Sequence, residues 1–477
     1  MPISADLQKL IDDFGKKPGV SAEAVTNLTA TINGSPALMA QLNDVVTKGH
    51  LKGFAALTDP NAGGAYRSSD QTMLLPLKGL EKAPGGTYNA GNMTFVLGHE
   101  VQHGYFRGDR ATALSTFATE ATAMAKSPAA VHDYTTIVGK MIQTNRDDEA
   151  KAHIAGWNAL VGAARQTKPT ATLEDVYLLS PGRAGDFMTR SGTAPNFTYA
   201  MKADLTIGAD LSMAQSADNI KAMGKYYFDM PGSQARLGHN GNSDYANYYG
   251  ASYVSFISQL EHAHGKTADG SKPAVHLNMT QLKLNESLME QNGIDLGANS
   301  AGRQPYVDIS TSTPKPGHFD HTKTTHRAVP INSPLEALLQ DDHSHVRVDP
   351  RSADHADHKL FSGIREKVEG EYARHGRSVS EGDLDRIAAG MTLEGKRNGI
   401  TSPDHVALSV DPVTKEVGKT AFLVQGGLND PAHVRVGVPT DKTPPAEESF
   451  RQLDALNQGQ QPATPAPAKE QRQAQSM

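Results

Sequence analysis

The run His99-Glu100-Val101-Gln102-His103 sets two imidazoles four residues apart, with a carboxylate beside the first. On an α-helix, residues i and i+4 share a face, so both rings can present a nitrogen to one cation while Glu100 stands next to it. Zinc held in this way acidifies a water, and the carboxylate takes that water's proton as it attacks a carbonyl carbon. The chemistry expected is hydrolysis of a peptide or amide bond. With 19 histidines in 477 residues, chance alone produces the pattern in roughly 4% of such chains, so the match carries information. Phe95, Val96, Leu97 and Val101 make the segment apolar. A buried His-Glu-His cluster is costly without a cation, which counts against a surface helix that merely carries two histidines.

Two imidazoles leave the coordination of zinc incomplete. Downstream, Arg146-Asp147-Asp148-Glu149-Ala150-Lys151-Ala152-His153 opens a second helical pattern with acids in its first turn. Glu149 is the expected third ligand, an arrangement that resembles the gluzincin peptidases, in which a second helix supplies a glutamate. Asp148 and His153 then become supports for the ligands, His153 lying one turn beyond Glu149. The plainer use of these acids is to complement a helix N-terminus. A metzincin pattern fails, since Phe106 stands where that family needs a tight-turn glycine and Asp109 where it needs a third histidine. The segment from Asn242 to Gly250 loosely resembles the tyrosine-rich helix of aspzincin-type endopeptidases, which makes Asp244 a fallback ligand. A donor to the developing oxyanion is also required. His239 and the group Tyr245, Tyr248 and Tyr249 are the available side chains; His239 and Tyr248 take the assignment, against the alternative that these rings pack in the core.

Composition narrows the choices further. No cysteine is present, so thiolate ligands, a cysteine nucleophile and disulfides are excluded. A net charge of -6 without a basic block argues against a nucleic-acid partner and a membrane-surface patch. No apolar run approaches the roughly 18 residues of a membrane span. The chain does not begin with a basic segment followed by an apolar one, so no Sec-type signal is expected.

The elements that must position these residues follow from periodicity and turn signals. Residues 5–50 read as two or three amphipathic helices, with Leu7, Leu10, Ile11 and Phe14 on one face. The stretch from Gln71 to Pro76 reads as an edge strand, because proline is tolerated there. Asn92 is placed to cap a helix through the histidines to about Phe106, followed by helical patterns over 111–127, 129–144 and 147–165, and again over 243–264. Residues 1–265 form the expected first domain. A helix near 282–291 and the run Ser310-Thr311-Ser312-Thr313-Pro314-Lys315-Pro316-Gly317 make 266–330 a linker region. A second compact unit is expected over 331–457, with a disordered Gln-rich tail over 458–477.

In that second unit the blocks Asp354-His355-Ala356-Asp357-His358-Lys359-Leu360-Phe361, Ile400-Thr401-Ser402-Pro403-Asp404-His405-Val406 and Phe422-Leu423-Val424-Gln425-Gly426-Gly427-Leu428-Asn429-Asp430-Pro431-Ala432-His433 resemble the C-terminal secretion domain of Xanthomonadales type IV effectors. Read from periodicity, they give helices near 357–373 and 380–398 and strands at 404–410 and 420–426. His355, His358, His405 and His433 lack short ligand spacing, which favours hydrogen-bonded roles over a second metal site. The resemblance implies recognition by the coupling ATPase of a bacterium-killing type IV system, delivery into a rival cell and a cognate immunity protein. The expected fold is helix-rich α+β: a zincin-like N-terminal domain and a small α+β C-terminal domain. The expected function is zinc-dependent cleavage of protein or peptidoglycan peptide. The competing reading is a non-catalytic toxin or binding module with a structural zinc site.

Overall fold

The computed structural model describes residues 2–57, 63–82, 88–193, 196–238, 240–296, 302–322, 350–351, 355–410, 417–426, 434–444 and 446–457. The chain divides into two compact units, Met1–His358 and Lys359–Met477. Each mixes helix and sheet, so the α+β class holds. Among the described residues no helix is long and apolar enough to cross a membrane. The tail at 458–477 and the expected domain start over 331–349 lie outside the described residues.

The first unit opens with three helices, Ala5–Gly15, Ala22–Gly34 and Pro36–Thr47. Each is started by a serine whose hydroxyl accepts a backbone N–H of the first turn: Ser4, Ser21 and Ser35. Their apolar faces, including Leu7, Ile11 and Phe14, are fully buried. A three-stranded sheet follows, in which Thr72–Leu75 runs parallel to Gly53–Ala56 and antiparallel to Ala65–Arg67. The expected edge strand is therefore central, and all four of its residues are buried. Pro76 falls just outside the paired residues, so its missing N–H costs the ladder nothing. Ala65–Arg67 takes the edge.

Two long helices dominate the unit. The motif helix, Ala90–Ala125, has 36 residues and is capped by Asn89, whose side chain accepts from the N–H of Asn92. Asn92 thus lies inside the helix it was expected to cap. The patterns expected to end at Phe106 and resume at 111 are continuous, because Gly108 weakens a helix by only about 1 kcal/mol and no proline interrupts it. The facing helix, Thr135–Thr167, has 33 residues and likewise joins two expected helices. They cross where side chains vanish: a Cβ on Gly98 would lie 2.7 Å from Ala159 Cβ, and one on Gly156 would lie 2.7 Å from the ring of Phe95.

Beyond them come the helix Leu173–Leu179 with its Thr172–Asp175 capping box, the hairpin Met188–Thr193/Asn196–Met201, and the helices Ala217–Tyr226 and Tyr245–His264. The expected linker is not one through Asp320. Val131–Asp133, Ala274–Leu277, Arg303–Asp308 and Lys315–Asp320 pair into a four-stranded sheet. The Ser/Thr/Pro/Gly run forms its last hairpin, because the residues that suit a linker also suit a tight turn.

The second unit holds the helices His358–Arg374, Glu381–Arg397 and Ala446–Asn457. The strands His405–Val410, Val417–Gln425 and Val434–Pro439 form an antiparallel meander. Phe361, Ile364, Val368, Leu384, Ile387, Leu423 and Phe450 pack its core. The two expected helices and two expected strands are present, joined by a third strand and a closing helix.

Candidate metal centre

The helix crossing at Gly98 and Gly156 decides what faces what. His99 and His103 lie one turn apart on the motif helix, and Glu149 comes from the facing helix. One ligand atom from each lies within 4.8 Å of the others, and among the described residues this is the single group of histidine and acidic side chains so placed. His99 is 0%, His103 3% and Glu149 1% exposed, so all three side chains are buried. Because Asp147, Asp148 and Glu149 sit in mid-helix, the dipole account of these acids loses its basis.

Hydrogen bonding prepares the ligands. His103 Nδ1 faces Asp148 Oδ2 at 3.0 Å, which makes Nδ1 the donor and leaves Nε2 as the nitrogen a cation could take. That Nε2 and both ring nitrogens of His99 are buried without a hydrogen-bond partner. His99 Nε2 is 3.6 Å from Glu149 Oε2, whose other oxygen accepts from the Tyr249 hydroxyl at 2.8 Å. Burial, helped by His103, His153 and Arg183, holds His99 well below its usual pKa and so in the neutral form, the one able to ligate a cation. Burial also acts to lower His103, but Asp148, Glu149 and Glu100 outweigh it and push the ring up to about 10. His103 would have to give up that proton to hold a cation. The donor set of two imidazoles and one carboxylate is one that zinc accepts, and the orphaned nitrogens fit it.

Glu100 is 0% exposed. Backbone at Gly64, just before the edge strand, passes so close that a Cβ there would sit 2.9 Å from Glu100 Oε1. His153 turns its Nε2 to Asp186 at 2.9 Å and its face to Tyr227, with ring centroids 3.6 Å apart.

Tyr227 was not foreseen. It is the first residue beyond the helix Ala217–Tyr226, its ring lies 6.0 Å from that of His99, and its hydroxyl accepts from Tyr245 at 2.6 Å. Burial, then the charge of Glu149, keeps it protonated, well above the usual tyrosine range. Its own proton is given to no described residue. The only hint in the sequence is the aromatic run Tyr226-Tyr227-Phe228 inside a polar stretch.

The other expected residues fall elsewhere. Tyr248 is half-buried with its ring 5.3 Å from Tyr249, and of the two it is Tyr249 that reaches Glu149. His239 lies outside the described residues. Asp244 caps its helix by accepting from Asn247, and Asp109 is exposed; neither joins the cluster. Near the second unit, His355 Nδ1 accepts from the N–H of Asp357 and His358 Nδ1 bonds Pro350 O; His405 is exposed and His433 lies outside the described residues.

No curated protein matches the chain. Residues 351–455 match the family described as X-Tfes, XVIPCD, so the chain carries the C-terminal secretion domain of Xanthomonadales type IV effectors, a signal for translocation into target cells.

Proposed function

We propose that the first unit is a zinc-dependent hydrolase of peptide or amide bonds, carried into a rival bacterium by the secretion domain. The observation that supports this is the convergence of His99, His103 and Glu149 around buried, unpartnered nitrogens, with Glu100 beside them. His99, His103 and Glu149 would hold the ion. Bound there, zinc supplies Lewis acidity to a carbonyl and to water. Glu100 takes the proton of the attacking water and delivers it to the leaving amine. Tyr227, held by Tyr245 with its own proton free, donates to the oxyanion. Protein and peptidoglycan peptide both suit such a site, and a cognate immunity protein is the expected antagonist.

A structural zinc site in a binding module draws on one observation, the burial of the ligands. Structural sites are closed by four protein ligands, whereas the described residues bring three together.

The test is survival of a susceptible bacterium expressing the full chain, wild type or Glu100→Gln, in the cytoplasm or directed to the periplasm. We expect killing by the wild type alone. Periplasmic killing points to peptidoglycan peptide and cytoplasmic killing to an intracellular protein. Equal killing by both variants would leave the base without a task and favour the binding module.

A further inference from the structure

Arg183 is a buried cation that the hydrolytic scheme does not use. It is 7% exposed. Its Nε donates to Asn92 Oδ1 at 2.8 Å, its Cζ lies 5.5 Å from the centre of the Phe95 ring, and its Nη2 is buried with no partner. Asn92 is neutral, and no carboxylate of the described residues pairs with the guanidinium. Asp186, three residues on, gives its Oδ2 to His153. Lys202, lowered by burial, adds a second positive charge near that acid and rests on the ring of Tyr226. Asn92 also lies in the first turn of the motif helix, where the peptide dipoles favour an anion.

The charge of Asp186 is felt at Arg183 without a hydrogen bond between them, so the buried Nη2 stays unpartnered, and a planar fork with free N–H groups matches a carboxylate. The site lies next to the metal centre. The Phe95 ring on which Arg183 rests is 6.1 Å from His99 and 4.9 Å from His153.

We propose that Arg183 binds a carboxylate, and that the carboxylate belongs to an acidic peptide substrate of the adjoining centre. The second clause rests on the hydrolase reading; the first does not. The probe is therefore sodium acetate, titrated at constant ionic strength into the full chain freed of metal, read by melting temperature and by the 15N resonance of the Arg183 Nε. A saturable shift is expected in wild type and Glu100→Gln, weaker in Arg183→Lys and lost in Arg183→Gln. No saturable shift in wild type, or an equal shift in Arg183→Gln, overturns the carboxylate site. Phosphate saturating at lower concentration than acetate overturns the choice of carboxylate. In zinc-loaded Glu100→Gln, N-acetyl-trialanine should displace acetate while its C-terminal amide should not. Displacement by neither, or by both alike, overturns the assignment to substrate. Because acetate binding needs neither zinc nor turnover, its failure is distinguishable from failure of the hydrolase reading.

Discussion

In the proposed hydrolase, holding the metal and using it would fall to different side chains around the same cluster. Asp148 touches the centre only through His103, whose ring it orients by a 3.0 Å contact. Losing such a support typically costs about 10–100-fold in metal affinity, so Asp148→Asn should release zinc to a chelator at correspondingly lower concentration. Tyr227 touches no ligand atom by hydrogen bond, and its hydroxyl accepts from Tyr245. Tyr227→Phe should keep the zinc affinity of the wild type yet lose on the order of 100-fold or more in killing potency, the usual effect of deleting an oxyanion donor. Chelator competition and survival assays on the same two variants separate the roles. Equal loss of zinc from both would place Tyr227 among the supports. The spacing of His99, Glu100 and His103 made their shared helix face, and so half of the candidate site, readable, because one helix turn is a local rule. Tyr227 and Arg183 sit on no motif, and only tertiary packing brings them to the motif helix.

Each ligand's partner depends on how closely two helices approach. At the crossing, Gly98 faces Ala155, Gly156 and Ala159, and Gly156 faces Phe95, with no room for a methyl group in either direction. Gly98→Val would force the motif and facing helices apart, at about 1–3 kcal/mol for overpacking. Glu149 would retreat from His99, now 3.6 Å away. A lower melting temperature together with weakened zinc binding is the expected result, read by calorimetry and chelator competition. Weakened stability with unchanged zinc affinity would mean that the pair of helices yields elsewhere. The two long helices were legible as helical patterns but not as single rods. Hydrophobic periodicity marks faces, whereas continuity across Gly108 or across the acids at 147–149 is decided by the partner each helix packs on. The strand at 72–75 shows the same limit: proline at its end suited an edge, yet neighbours on both sides made it central.

At the scale of the whole chain, the composition that suggested a linker over 266–330 belongs instead to a sheet. The strand Val131–Asp133, which directly precedes the facing helix, pairs with Ala274–Leu277, and that strand pairs in turn with Arg303–Asp308. The sheet therefore anchors the start of the helix that carries Glu149. A truncation after residue 265 removes three of its four strands and exposes apolar side chains such as Val275, Leu277 and Phe319, all at most 5% exposed in the intact unit. A truncation after His358 follows the boundary between the two compact units and leaves the sheet whole. The shorter piece should melt well below the longer one and bind zinc poorly. The longer piece should match the full chain in both respects, since the secretion domain at 351–455 has its own core in Phe361, Ile364, Leu384 and Phe450. In competition between cells, the piece ending at 358 should be toxic when made inside the target and harmless when the producer must export it. Killing by export without the second unit would show that delivery does not depend on it. Loss of zinc binding by the longer piece would show that the units are not independent in folding.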